Sequence, residues 1–366
     1  MRIVFLLPGS GDRPVGGYKV VYEYANGLGR RGHDVMVVHA PYCLVGDHSP
    51  GLTLRNWANY SLRSAGAFGG FRPDKWFSVD PRVRMLWVPS LNARWIPDAD
   101  VVVATAWGTA EHALEYPESK GLKFYLIQHS ETIFSGADAV RVEATWHAPM
   151  HRIVIARWLY DLLEARGLAA DYIPNGLDFQ TFGVDIPPDR RCANRVLMLH
   201  HSEPWKGTAV GIAALEQARA KAPEIAAALF GVMKPASLPS WIKFYENPRQ
   251  ARLRELYNDA AIFIAPSLVE GWGLPSAEAM QCGAALCGTD IGGHREFAVH
   301  EMTALLAPPN DADALARNIV RLVTDPELRI RIAKAGLLVI KNFTWQRSVP
   351  AMEASLMRAI SRKYSS

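Results

Sequence analysis

The chain has 366 residues, of which 49% are hydrophobic and 21% charged, with a formal net charge of +4. That is the composition of a globular protein; no apolar run reaches the ~20 residues of a membrane span, and so small a charge gives no reason to expect a nucleic-acid partner. The length exceeds one ordinary core, so two domains are expected. Cys43, Cys192, Cys282 and Cys287 lack metal-ligand spacing. Cys282 and Cys287 read as buried thiols, which suits a reducing cytosol.

Arg2 to Leu7 reads as a buried strand, too short for a signal peptide and running into glycines. Pro8-Gly9-Ser10-Gly11 and Gly16-Gly17 form a glycine-rich loop, Tyr18 to Arg31 a helix closed by Gly32, and Asp34 to His39 a second strand. Strand, glycine loop, helix and strand open a doubly wound α/β domain. The dinucleotide fingerprint is incomplete, because Gly16-Gly17 falls late and no acidic residue closes the second strand; a nicotinamide cofactor is not expected. Gly16-Gly17 reads equally as a tight turn or as a place where a ligand comes close. Residues 41 to 98 look irregular. Arg55, Arg63, Arg72, Lys75, Arg82, Arg84 and Arg94 interleave there with Trp57, Phe68, Phe71, Trp76, Phe77 and Trp87. They suit an acceptor surface or contact with anionic lipid headgroups, a base-stacking platform, or an insertion with its aromatics packed beneath it.

Asp100 to Ala104 and Lys123 to Gln128 read as strands around a helix from Trp107 to Tyr116. His129-Ser130-Glu131 then follows the C-terminal end of a strand, where ligands gather in parallel sheets. His129 is the stronger candidate and Glu131 the weaker. Arg152 to Ala156 is a strand and Arg157 to Arg166 a helix. Tyr172-Ile-Pro-Asn-Gly-Leu-Asp178 is a turn, and Asp185 to Asn194 reads as a linker. The pattern then restarts, with strands at Arg195 to Leu199, Ile225 to Phe230 and Ile242 to Tyr245 and helices at Gly207 to Ala220 and Ala251 to Asn258.

The second half is organised around Pro266-Ser-Leu-Val-Glu270-Gly-Trp-Gly-Leu-Pro275-Ser-Ala-Glu278-Ala-Met280. An apolar run, Ala260 to Ala265, precedes it as a strand, and a helix, Ser276 to Gln281, follows. Gly271 and Gly273 let backbone come close to a ligand. Pro275 suits the first turn of a helix, whose free N–H groups and dipole make an anion site. Glu270 and Glu278 bracket that site, an arrangement that fits a nucleotide-sugar, with hydroxyls on both sides of its phosphates. Ala284 to Cys287 is the next strand. Helices follow at Asp311 to Val323, Glu327 to Ile340, and from Phe343-Thr344-Trp345 to about Arg362.

This stretch resembles the Glu-x7-Glu motif of the retaining glycosyltransferases of family 4, matching nearly every position of Glu-Gly-aromatic-Gly-Leu-Pro-x-x-Glu-Ala-Met and its Pro-Ser lead-in. Asp290-Ile-Gly-Gly-His-Arg-Glu296 resembles the family's Gly-Gly-x-x-Glu turn, and Tyr172 to Asp178 its interdomain crossing. The resemblance is strongest from about 172 to 345. It implies an α/β, GT-B-like fold: two Rossmann-type doubly wound domains facing a deep interdomain cleft. The acceptor domain would be 1–178 plus a returning helix at about 346–366, and the donor domain 179–345. It also implies that Glu270 holds hydroxyls of the donor sugar and Glu278 the ribose. Lys206 and the amides of Gly273 and Leu274 would take the diphosphate, with Gly271 and Trp272 completing the loop. His129 would lie beside the transferred sugar, and Gly16 and Gly17 along the path of donor or acceptor. One motif departs. Where the family has Gly-Arg, four residues and Lys-Gly, this chain has His200-His201-Ser-Glu-Pro-Trp-Lys206-Gly207, so His201 replaces an arginine that forks onto two phosphate oxygens.

The expectation is a cytoplasmic, retaining, metal-independent glycosyltransferase that moves a hexosyl or deoxyhexosyl group from a nucleotide-diphosphate donor to a hydroxyl of a glycan, glycolipid or small molecule. No cofactor or metal is expected, since no Asp-x-Asp stands in a suitable loop; residues 41–98 would supply any peripheral membrane contact. Phe124 to His129, Val142 to Trp146 and Ile153 to Trp158 resemble a rhamnosyltransferase-type subgroup, which makes a deoxythymidine-diphosphate sugar a first donor to try. The rivals are a GT-B-fold sugar-nucleotide epimerase and a non-catalytic nucleotide-sugar-binding subunit.

Overall fold

The computed structural model describes residues 1–9, 14–41, 50–64, 72–74, 76–134, 136–235 and 237–365. Cys43, Phe68, Phe71 and Lys75 lie outside them, as does the side chain of Arg63. The chain divides into two compact units, Met1–Asn175 with Trp345–Ser366, and Gly176–Thr344.

The first unit is built on a seven-stranded parallel sheet. In chain order its elements are β1 (Arg2–Pro8), α1 (Gly16–Arg30), β2 (Asp34–Ala40), α2 (Pro50–Ser64), β3 (Arg84–Trp87), β4 (Val101–Ala104), α3 (Trp107–Leu114), β5 (Leu122–Ile127), α4 (Ala139–His147), β6 (His151–Val154), α5 (Arg157–Glu164) and β7 (Asp171–Tyr172). The sheet order is β3-β2-β1-β4-β5-β6-β7. Its direction of growth reverses between β1 and β4, the switch point beside which open α/β sheets bind ligands. β1 and β4 are buried on both faces, which is why they read as unbroken apolar runs.

Two sequence readings need correction here. Gly16-Gly17 is no loop; it forms the first turn of α1. Residues 41–98 are not wholly irregular, for they contain the fifteen-residue α2 and the strand β3. The described aromatics pack largely on one another. Trp57 meets Trp95 edge-on at 5.0 Å, Tyr60 stacks over Trp87 at 6.4 Å, and Trp76 and Phe77 lie against Tyr22. A last helix, α11 (Trp345–Ser365), belongs to this unit and packs on α1. There Trp345 meets Tyr24 edge-on at 5.2 Å, and Gly27 makes room for Val349.

The second unit carries a six-stranded parallel sheet of order β10-β9-β8-β11-β12-β13. Its elements are β8 (Arg195–Leu199), α6 (Thr208–Lys221), β9 (Ala226–Gly231), β10 (Lys243–Glu246), α7 (Gln250–Asp259), β11 (Ile262–Ala265), α8 (Leu274–Gln281), β12 (Ala285–Thr289), β13 (Ala304–Ala307), α9 (Ala312–Thr324) and α10 (Pro326–Ile340). Asp311 and Asp325 cap α9 and α10 by accepting from Ala314 and Leu328. The core joins Met198, Ile264 and Cys287 of the sheet to Leu215, Ile319 and Ile332 of the helices. Cys282 and Cys287 are buried free thiols, as read from the sequence.

Asp185 to Asn194 is not a loose linker. Arg191 is buried and donates to the carbonyls of Ile186, Tyr257 and Ala260, and its burial lowers its pKa to about 10. The segment's prolines and charges look like a tether; the arginine that seats it finds two of its acceptors, the Tyr257 and Ala260 carbonyls, far along the chain.

Candidate active site

Strands β8 and β11 are neighbours although a helix, two strands and another helix separate them in sequence. Their C-terminal loops therefore leave the sheet side by side. Leu268 N–H donates to the Trp205 carbonyl at 2.7 Å, zipping the two loops together. Gly207, at φ +64°, starts α6 so close to the Pro266 carbonyl that any Cβ would collide with it. The loop after β12 closes the third side: a Cβ on Gly293 would lie 2.6 Å from the Glu270 carbonyl oxygen.

This convergence brings Lys206 to Glu270. The ammonium donates to both carboxylate oxygens at 2.8 and 2.7 Å, and Ser267 donates to Oε1 at 2.8 Å. Burial alone would raise the Glu270 pKa. The charge and hydrogen bonds of Lys206, with Ser267, outweigh it and hold the group below its ordinary value, so it is ionised. Gly273 adopts φ +93° and ψ 48°, a left-handed conformation that glycine tolerates, and leads into α8 with Pro275 in its first turn. The first-turn N–H groups of α8 have no partner within the helix. Glu278 is buried inside α8 and accepts from the Tyr257 hydroxyl of α7 at 3.3 Å.

His201 lies at the surface, yet partial desolvation and then the nearby Lys206 lower its pKa, which favours the neutral ring; its Nδ1 accepts from the Glu203 amide at 3.1 Å, which leaves Nε2 as its donor. Trp272 was expected at the ligand; its indole is instead 2% exposed, packed between Phe297 and Phe343 at 5.2 and 5.3 Å. It anchors the loop, and the backbone of Gly271, Trp272 and Gly273 is what a ligand could meet.

In the first unit, Gly17 comes close to a residue that sequence reasoning passed over, Gln128. The Gln128 amide lies 3.4 Å from where a Gly17 Cβ would stand, and His129 follows it in the chain. The His129 ring packs against Phe134 and Trp158, with Nδ1 3.1 Å from the Ser130 carbonyl oxygen. Glu131 is buried. It accepts from the Trp107 N–H at the start of α3 at 2.6 Å and from the Tyr125 hydroxyl at 2.7 Å, and burial raises its pKa to about 7. That geometry makes it the clasp that holds the His129 loop on α3.

Residues 190–338 match the family described as glycosyl transferases group 1. That match lies within the second unit. Among curated relatives, the O-antigen chain mannosyltransferase B of Escherichia coli is 31% identical over 118 residues, 32% of this chain and 30% of its own length. The phosphatidyl-myo-inositol mannosyltransferase of Mycolicibacterium smegmatis is 28% identical over 229 residues, 57% of this chain and 58% of its own. The chain thus matches less than two thirds of the length of either. Sucrose-phosphate synthase from Thermosynechococcus elongatus has a TM-score of 0.73 at 17% identity over 99% of both chains. Anabaena HepE, solved in complex with UDP and glucose, has a TM-score of 0.73 at 16% identity over 98% of this chain and 100% of its own. At these identities the likeness is one of fold, and the fold is GT-B-like.

Within the second unit, sequence reading also missed His294. It is fully buried, donates from Nδ1 to the Thr289 carbonyl at 2.8 Å and accepts at Nε2 from Ser276 of α8 at 3.2 Å. Its ring lies 3.1 Å from where a Gly273 Cβ would be, so it sets the turn that presents α8. Only its place in the Gly-Gly-x-x-Glu turn hinted at this.

Proposed function

We propose that the chain is a glycosyltransferase that moves a sugar from a nucleotide-diphosphate donor to a hydroxyl, with retention of anomeric configuration. The observation that carries this is the partly buried Lys206–Glu270 pair beside the left-handed Gly273 and the N-terminus of α8. A cation and a helix N-terminus together stabilise negative charge developing on a leaving diphosphate. In this reading Glu270 holds donor-sugar hydroxyls and Glu278, braced by Tyr257, holds the ribose. Lys206, the Gly273 and Leu274 amides and the Nε2–H of His201 hold the diphosphate. His129, with Gly16 and Gly17, serves the sugar from the first unit. The bond from the anomeric carbon to the phosphate oxygen breaks, the acceptor oxygen bonds on the same face, and its proton passes to the departing phosphate. No metal or cofactor takes part.

Mannosyltransferase names among the relatives support sugar transfer, and the complex of a similar fold with UDP and glucose supports a nucleotide-sugar donor. Surface glycan or glycolipid synthesis at the cytoplasmic face of a membrane fits the same names. Among the described residues no helix is long and apolar enough to cross a membrane. On α2, Leu54, Trp57 and Leu62 are exposed beside Arg55, and they supply the peripheral membrane contact in this reading. The loss of the arginine fork at His201 favours one rival, a subunit that binds a nucleotide-sugar without transferring it.

The test is a thermal-shift screen of UDP-, dTDP-, GDP- and ADP-sugars beside the bare nucleotides, with Glu278→Ala as control, followed by turnover with the stabilising donor. A shift with one base, lost in the variant, and release of its nucleoside diphosphate support transfer. A shift without turnover supports the binding subunit. Conversion of UDP-GlcNAc without any acceptor would show the epimerase.

A further inference from the structure

We propose that Gln128 is a substrate-binding residue whose amide takes a sugar hydroxyl at the C-terminal end of β5. The proposal rests on the glycosyl-transfer reading and adds a recognition group to it. The Gln128 Oε1 atom is buried and, among the described residues, has no hydrogen-bond partner. Buried acceptors are nearly always paired, and leaving one unpaired is costly. The fold itself makes no use of this one. A leucine would fill the same space without an orphaned oxygen.

Its placement says what could pair it. Gln128 directly follows β5, a strand inside a parallel sheet, at the end where ligands gather, and its amide lies 3.4 Å from where a Gly17 Cβ would stand. Gly17 lies in the first turn of α1, a fifteen-residue helix whose opening amides have no intrahelical acceptor. The cluster therefore offers both an acceptor and N–H donors. An anion would satisfy the donors and leave Oε1 orphaned. A hydroxyl donates to Oε1 and accepts from an N–H, so it satisfies both. Among the substrates of a glycosyltransferase, the sugar is the part rich in such groups, whether it belongs to donor or acceptor.

The experiment compares wild type with Gln128→Leu and Gln128→Glu in two arms. One arm follows hydrolysis of UDP-glucose, GDP-mannose and dTDP-rhamnose without acceptor. The other follows transfer to methyl α-mannoside and methyl α-glucoside. UDP, GDP and dTDP affinity by calorimetry and the melting temperature are measured alongside. The expected result is a fall of at least tenfold in kcat/KM for Gln128→Leu. Bare-nucleotide affinity should stay within twofold, and the melting temperature should be unchanged or raised because the orphaned oxygen is gone. A loss in the hydrolysis arm assigns the hydroxyl to the donor sugar, and a loss confined to transfer assigns it to the acceptor. A deoxy-sugar lacking that hydroxyl should erase the difference between wild type and variant. Wild-type kinetics in both arms for Gln128→Leu would overturn the proposal while leaving glycosyl transfer intact. So would a matching drop in stability and bare-nucleotide affinity. Failure of the wild type to bind any nucleotide would overturn both.

Discussion

Lys206 and Glu270 are 22% and 12% exposed, so each neutralises a charge that water largely cannot reach. Lys206→Ala should therefore destabilise the second unit by about 2–4 kcal/mol and abolish transfer. Lys206→Met with Glu270→Gln should recover stability but no activity, as read by chemical denaturation and product release. His201 should report the diphosphate. Neutral without ligand, it gains a proton when an anion raises its pKa. UDP affinity should weaken as pH rises from 6 to 8, and His201→Ala should flatten that slope; a slope unchanged in the variant counts against His201 as a phosphate ligand. Glu131 makes a different, structural prediction. Its pKa is raised to about 7, so between its ordinary value and that point the folded state binds more protons than the unfolded one. Its contribution to stability is then lost as pH rises from about 4.5 to 7, on the order of 3 kcal/mol. Denaturation midpoints across that window should fall less steeply for Glu131→Gln than for wild type.

At the scale of elements, the packing of α1 on α11 depends on a missing Cβ. A methyl at Gly27 would strike the Val349 side chain. Arg31 and His33 then bind Glu353, with His33 Nε2 2.7 Å from its carboxylate and Arg31 Nε 2.7 Å from the other oxygen. Ser348 donates to the Pro174 carbonyl at 2.7 Å. Gly27→Ala should cost about 1–3 kcal/mol by overpacking, and Val349→Ala should relieve part of it. Non-additivity in that double-mutant cycle by thermal melting is the check; additive effects would mean that the helices separate freely.

For the whole molecule, the nucleotide contacts proposed here fall in one unit. A ligand present at one hundred times its Kd adds about 2.7 kcal/mol to whatever it binds. UDP, or the base that the screen selects, should slow hydrogen exchange in residues 200–207 and 266–296, where the loops after β8, β11 and β12 converge. Deleting residues 345–366 should instead raise exchange in α1, whose partner helix is removed. Protection confined to α1, with 266–296 unchanged, would move the nucleotide out of the second unit.

Sequence by itself determined the α/β class and most elements, because strands buried on both faces must be apolar and helices must end at glycines such as Gly32 and Gly283. It also named the strand–loop–helix around Glu270, since close approach and a helix start demand Gly273 and Pro275 locally. Pattern could not reveal α2, where a helix lies in a stretch mixed in charge and aromatics and is held by ring contacts to Trp87 and Trp95 from beyond its end. Nor could it reveal pairings set by strand order. Lys206 reaches Glu270 across 64 residues because β8 and β11 are neighbours, and Gln128 reaches Gly17 because β5 ends near the start of α1. The same holds for charge states. The raised pKa of Glu131 follows from burial, and the lowered pKa of His201 from partial desolvation and the neighbouring Lys206, which are properties of the folded molecule.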